Sequence, residues 1–300
     1  MVSAPQIYRM QPERICYLCG SDEAGHRPGS VRDNPDLKIC ECKGCGLVYL
    51  SSFTHAGDDL YEDSGMHGDQ PLDIDKWLAD TAADDERRYR YLKSLLPGKA
   101  LLDFGCGAGG FLLTARKDAK ATYGVELERR LQKYFREQEL TVYESLECLK
   151  AKHGGDEKFD LITMFHVLEH LPDPKSMMQD LGSLLNDRGE LVIEVPHADD
   201  ALLTLYECEP FTHFTYWSCH LFLFTAGNLK MLADQTGLRI NYIRQVQRYP
   251  LSNHMHWLAK GRPGGHAIWH FLDSPEMHAV YEKQLAAIGK CDTLLMSLSR

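Results

Sequence analysis

The sequence predicts an α/β protein built on a mostly parallel sheet, joined to a small cysteine-rich module at its N-terminus. Three observations carry this. From about residue 75 onward, short apolar runs of strand character alternate with helical patterns. Gly105, Gly107, Gly109 and Gly110 fall between one such run and the helix after it. Two Cys-x-x-Cys-Gly units, opening at Cys16 and Cys42, lie within the first 50 residues.

Taken in order, residues 1–50 read as the cysteine module, with turn residues Gly20, Gly25, Pro28, Gly29, Pro35, Gly44 and Gly46. Residues 51–74 are polar and read as a linker. Residues 75–260 form the α/β domain, with an insertion over 197–224, and 261–300 read as a C-terminal helical extension. A helix over 75–96 closes at Pro97-Gly98, a stop signal. Strands follow at 100–104, 121–126, 141–143, 159–164 and 190–195. Helices between them are expected at 110–116, 127–138 and 175–185. A helix at 225–236, a strand at 238–246, a last strand at 253–259 and a terminal helix at 275–288 complete the reading. Strand–helix alternation of this kind gives parallel pairing with helices on both faces. Ligands bind such sheets at the carboxyl ends of the strands.

Three hundred residues suffice for one large domain plus a small module. Hydrophobic residues at 44% and charged residues at 25% are ordinary for a soluble globular chain. The net charge of -10, with no strong Lys/Arg run, disfavours nucleic acid as a partner. No apolar stretch approaches the roughly 18–20 residues that span a bilayer, and residues 1–10 lack the apolar core of a signal peptide. A cytoplasmic protein with no membrane partner is expected, and its ten cysteines read as thiols rather than disulfides.

Glycines between a strand and a helix let the backbone turn sharply and approach a ligand. The helix N-terminus beyond them favours an electron-rich group. Glu126 ends the next strand, 21 residues after Gly105, where a carboxylate accepts both hydroxyls of a ribose. This much says nucleoside cofactor. Gly105, Gly107 and Gly110 also satisfy G-x-G-x-x-G, so the residues alone leave a dinucleotide open.

Asp103-Phe-Gly-Cys-Gly-Ala-Gly109 resembles the D-x-G-x-G-x-G signature of class I S-adenosylmethionine-dependent methyltransferases. Tyr123-Gly-Val-Glu126 resembles the family's second strand, Phe159 to Pro174 its fourth strand and loop, and Gly189 to Pro196 its fifth. The resemblance covers about residues 90–245 and implies a Rossmann-like, seven-stranded sheet. By it, Gly105, Cys106, Gly107 and Gly109 approach the methionine part of S-adenosylmethionine, with Asp103 near its ammonium group. Glu126, followed by Leu127, binds the ribose; Glu144, Ser145 and Leu146 lie near the adenine; Phe165 and His166 border the sulfonium end.

Cys16, Cys19, Cys42 and Cys45 supply four thiolates in two repeated knuckles, the donor set of a closed, structural Zn²⁺ site. Cys40 is an alternative to Cys42 that breaks the repeated spacing. Zinc would provide folding energy that a module of ~50 residues lacks.

The insertion 197–224 is rich in aromatics and histidines and can cap an acceptor pocket. Within it, Cys219-His-Leu-Phe-Leu-Phe-Thr225 resembles a Glu-His-Leu-x-x-Phe-Ser stretch of zinc-containing sugar C-methyltransferases. There the histidine stands at the acceptor, so His220 is the first candidate catalytic residue and His166 the second. Cys219 occupies the place of the acid. The expected activity is methyl transfer from S-adenosylmethionine to a small molecule, a sugar or nucleotide-sugar, at carbon or oxygen. Competing readings are an RNA-base methyltransferase, a non-catalytic binding protein on the same fold and, more distantly, a NAD-dependent oxidoreductase.

Overall fold

The computed structural model describes residues 15–55, 71–152 and 158–300. Most of the expected linker, and the first residues of the cysteine module, lie outside them.

In the N-terminal module, β1 (Ala24–His26), β2 (Ile39–Cys42) and β3 (Val48–Leu50) pair antiparallel. A fourth strand, β9 (Phe222–Leu223), arrives from the 197–224 insertion and pairs with β3.

The main domain runs α1 (Ile74–Leu92), β4 (Ala100–Phe104), α2 (Gly110–Ala115), β5 (Ala121–Val125), α3 (Gln132–Glu137), β6 (Thr141–Tyr143) and α4 (Leu146–Lys152). It continues with β7 (Phe159–Phe165), α5 (Pro174–Ser183), β8 (Leu185–Pro196), α6 (Ala201–Thr204) and α7 (Glu209–Thr212). After β9 come α8 (Ala226–Asp234), β10 (Arg239–Val246), α9 (Leu251–Lys260), α10 (Gly265–Ile268), α11 (Pro275–Ala287) and β11 (Thr293–Ser299). Local chemistry sets many of the helix starts: the Asp73 side chain accepts from Lys76 N ahead of α1, and Thr225 and Asn228 form a reciprocal capping box on α8.

The seven-stranded sheet has the order β10-β11-β8-β7-β4-β5-β6. From β8 to β6 all pairings are parallel, and β11 runs antiparallel to both its neighbours. The expected mostly parallel, seven-stranded α/β sheet is therefore present. The strand order reverses at β4, which places a ligand crevice where the glycine loop leaves the sheet. One face of the sheet shares a continuous apolar core with the cysteine module, through Ile39, Leu47 and Val48. The other face is covered by α1, α2 and α3.

Two expectations are corrected. Residues 253–259 are not a strand but part of α9. Ser252, Asn253, His256 and Trp257 are buried at helical spacing, and Gly261 ends the helix in a left-handed conformation. Residues 261–300 are not a helical extension, because β11 inserts between β8 and β10 as the seventh strand. Its run Thr-Leu-Leu-Met-Ser-Leu-Ser is buried throughout, so it carries little alternation to mark it as a strand. The helix α4 had no counterpart in the sequence reading.

Candidate functional site

Loop 105–109 leaves β4 with left-handed backbone at Gly105 and Gly107, at φ +73° and +53°. A side chain at Gly105 would run into Val167, and one at Gly107 would meet the Trp77 ring at 3.2 Å. Gly107 N–H donates to Glu126 Oε2 at 2.8 Å, and Glu128 N–H to Oε1 at 2.9 Å. The end of β5 is thereby tied to the loop after β4.

Beside this loop lies a cavity of about 400 Å³, within the size range of small-molecule sites. Asp103, Gly105, Cys106, Gly107, Glu126, Leu127, Phe165 and His166 all line it. Gly109 does not; it is the N-cap of α2. Glu144, Ser145 and Leu146 do not line it either. Leu146 is buried in the core, Ser145 Oγ accepts from Cys148 N in the first turn of α4, and Glu144 faces solvent.

Four carboxylic acids line the cavity, Asp84, Asp85, Asp103 and Glu126, against two guanidiniums, Arg88 and Arg248. Burial pushes the Asp103 carboxyl up to about 7, although Thr163 Oγ1 donates to it at 2.7 Å. Burial also raises Glu126, against the N–H groups it accepts. Raised carboxyls in a cavity with excess acid suit a cationic ligand that stabilises their ionised forms. A sulfonium with an ammonium group has that charge, and the acid on the β5 end suits a ribose. The residues present thus fit S-adenosylmethionine.

Sequence reasoning missed the contribution of α1. Trp77, Thr81, Asp84, Asp85 and Arg88 line the cavity and lie along one helix face. Their spacing was a usable signal, because a polar stripe on the face a helix buries demands partners. Arg88 stacks on Phe165, its guanidinium 4.5 Å from the ring centroid. Arg87 and Arg88 converge on the fully buried Glu194 of β8 at 2.8 Å each. A glutamate inside Leu-Val-Ile-Glu-Val was the corresponding signal on the strand.

A second cavity, also about 400 Å³, adjoins the first and shares His166, His170 and Arg248 with it. The insertion supplies Phe211, Phe214, Trp217, Cys219 and His220; Asp200, Asn253, His254, Trp257 and Asp292 add polar groups and a further ring. His220 faces this cavity and not the first. Burial, together with nearby His170, lowers its imidazole to about 3. Burial and the nearby Asp292 raise Asp200 to about 8.

His166 stands at the join. Its backbone is left-handed, at φ +54°, an uncommon conformation for a residue with a side chain. Three contacts fix its ring: Nδ1 lies 3.2 Å from Glu169 Oε1, and Nε2 lies 3.3 Å from Glu194 Oε1 and 3.0 Å from Arg248 Nη1.

In the N-terminal module, Cys16 Sγ and Cys45 Sγ lie 3.6 Å apart, and Cys19 Sγ and Cys42 Sγ 3.4 Å apart. Tetrahedral zinc with Zn–S bonds of about 2.3 Å separates its sulfurs by about 3.8 Å, so this cluster fits such an ion. Cys40 is not in the cluster.

Comparison with known proteins identifies the family of the domain. Residues 76–243 match a family described as a methyltransferase domain. A ubiquinone biosynthesis O-methyltransferase of Coxiella burnetii is 25% identical over 176 residues, covering 55% of this chain and 75% of that protein. One of Pasteurella multocida is 33% identical over 108 residues, covering 31% of this chain and 45% of that protein. The fold is similar to that of a SAM-dependent methyltransferase from Archaeoglobus fulgidus, with a TM-score of 0.49 and 20% identity over 72% of this chain and 92% of the other.

Proposed function

The chain belongs to the class I S-adenosylmethionine-dependent methyltransferases, and we propose that it methylates a small, ring-shaped acceptor carrying several hydroxyls, such as a sugar or nucleotide-sugar. The observation that carries this reading is the pair of adjoining cavities that meet at His166, His170 and Arg248. One has the acids a cationic nucleoside needs, and the other has flat aromatic walls with carboxyl, amide and imidazole groups for hydroxyls.

In the first cavity, Glu126 takes the ribose hydroxyls and Asp103 the ammonium group. Gly105, Cys106 and Gly107 admit the methionine part, and Leu127 flanks the ribose. Phe165 and His166 border the sulfonium end. S-Adenosylmethionine supplies the methyl group; the chain supplies alignment, which accounts for much of the acceleration in such displacements. His166, held by Glu169, Glu194 and Arg248, keeps the join between the cavities in one geometry. His220 meets the acceptor.

We assign Cys16, Cys19, Cys42 and Cys45 to a structural Zn²⁺, supported by their sulfur spacing. The zinc module and the acceptor cavity are connected: β3 pairs with β9, which begins two residues after His220. Asp33 accepts from Ser218 N and Oγ at 2.8 and 2.7 Å.

A second reading is a phenolic acceptor methylated at oxygen. The relatives named for ubiquinone biosynthesis support it. Incubating zinc-loaded protein with labelled S-adenosylmethionine and separate panels of nucleotide-sugars, free sugars and catechols tests both. Label on a sugar supports the first reading; label on catechols alone replaces it with the second.

A further inference from the structure

The wall between the two cavities carries a cluster that neither the cofactor reading nor the four-cysteine site uses. His170 lies in the turn after β7, and Cys219 and His220 lie together in the turn before β9. One donor atom from each of these three residues lies within 4.8 Å of the other two. The His170 and His220 rings meet edge to face, with centroids 4.8 Å apart. All three residues line the second cavity.

We propose that His170, Cys219 and His220 form a second metal-binding site, for a divalent transition metal such as Zn²⁺. Two imidazoles and one thiolate are a borderline-soft donor set that suits zinc or cobalt and not magnesium or calcium. Three protein ligands leave one position open, the pattern of reactive rather than structural sites. Tetrahedral donors stand about 3.3–3.8 Å apart, so the cluster tightens by about 1 Å through side-chain rotation on the 218–220 turn.

A second, independent observation is the charge behind the cluster. Glu169 is completely buried, with Oε1 4.0 Å from His170 Nε2 and its Oε2 without a hydrogen-bond partner. A buried carboxylate oxygen with no donor is costly, and a cation held on the far side of His170 would offset that cost. A carboxylate behind a ligating histidine is also the usual outer arrangement of such sites. The His170 ring hydrogen-bonds main-chain groups of Cys219 and His166. Ligation replaces the first and keeps the second, which continues to orient the ring. Cys219, directly before His220 in the chain, adds the sulfur ligand. On the reading that the second cavity holds the acceptor, the ion supplies Lewis acidity there. The site itself does not depend on that reading.

The test is a titration of the metal-stripped full chain with Co²⁺ alone, following thiolate charge-transfer and d–d absorption. Two equivalents are expected, the first with the spectrum of a four-sulfur site and the second with that of a single-thiolate site. Cys219→Ser and His220→Ala should each keep the first equivalent and bind the second about 10-fold to 100-fold more weakly or not at all. Unchanged S-adenosylmethionine affinity in either variant verifies that it has folded. A wild-type chain that binds one equivalent only, or a second equivalent that survives in a folded variant of both kinds, overturns the proposal.

Discussion

Arg88 donates from Nε at 3.0 Å and from Nη2 at 2.8 Å to a single oxygen, Oε1, of Glu194. Arg87 takes the other oxygen at 2.8 Å. Burial alone would raise the Glu194 carboxyl, but Arg88, His166 and Arg87 hold it well below its ordinary range. Glu194→Gln removes the charge on which two largely buried guanidiniums converge, leaving Arg87 only Asp84 and Arg88 only Asp85 as acidic partners. It should destabilise the fold by about 3–5 kcal/mol, read as a lower denaturant midpoint. A midpoint equal to that of the parent would mean that the cluster contributes nothing to stability.

Asp103 should make cofactor binding proton-linked. Burial first, then Asp85 and Glu126, raise its carboxyl to about 7, against Thr163 and Arg88, which lower it. The stability this raised value contributes to the ligand-free fold is present below the ordinary carboxylate range and is lost as pH rises through about 7. A cationic ligand reverses the shift, so binding at pH 7 should release up to about half a proton from this residue. Calorimetry in two buffers of different ionisation enthalpy reads that release as the difference between the parent and Asp103→Asn. Equal proton counts in the two proteins would remove Asp103 from the contact.

Zinc removal should act on the acceptor side first. The module holds the insertion through Arg27 to Tyr216 Oη at 2.9 Å, Leu50 N to Leu221 O at 3.1 Å, and the Asp33–Ser218 pair. Among the described residues it makes no such hydrogen bond with the loop 105–109. Cys45→Ser should raise the acceptor KM about tenfold through lost preorganisation while S-adenosylmethionine affinity stays as it was. Equal loss of both would show the module to be a global folding element instead.

His220→Ala should reduce kcat by about 100-fold or more with cofactor affinity unchanged. Turnover at the parental rate would remove His220 from the reaction.

Much of this architecture was legible in the sequence, and the illegible parts have physical causes. The strand, glycine loop and Glu126 were readable because a tight turn and a terminal acid leave fixed spacings. The two cysteine pairs were readable for the same reason, and the structure brings their four sulfurs together. The β11 strand was not, because a run buried on both faces carries no alternation. The stripe of Asp84, Asp85 and Arg88 was readable only as a helical spacing, which does not by itself say which face of the helix is turned inward. The ring of His170 against His220 unites positions fifty residues apart, which only the return of the chain to β3 brings about.

The central claim is that the cavity beside Gly105 and Glu126 holds S-adenosylmethionine. The most direct measurement is a calorimetric titration of that compound into the purified chain and into Glu126→Ala. One equivalent should bind to the parent, and the variant should bind about 100-fold more weakly, the loss of two charge-assisted hydrogen bonds, with its thermal midpoint near that of the parent. Equal affinity in a folded variant, or no binding to the zinc-loaded parent, would contradict the account.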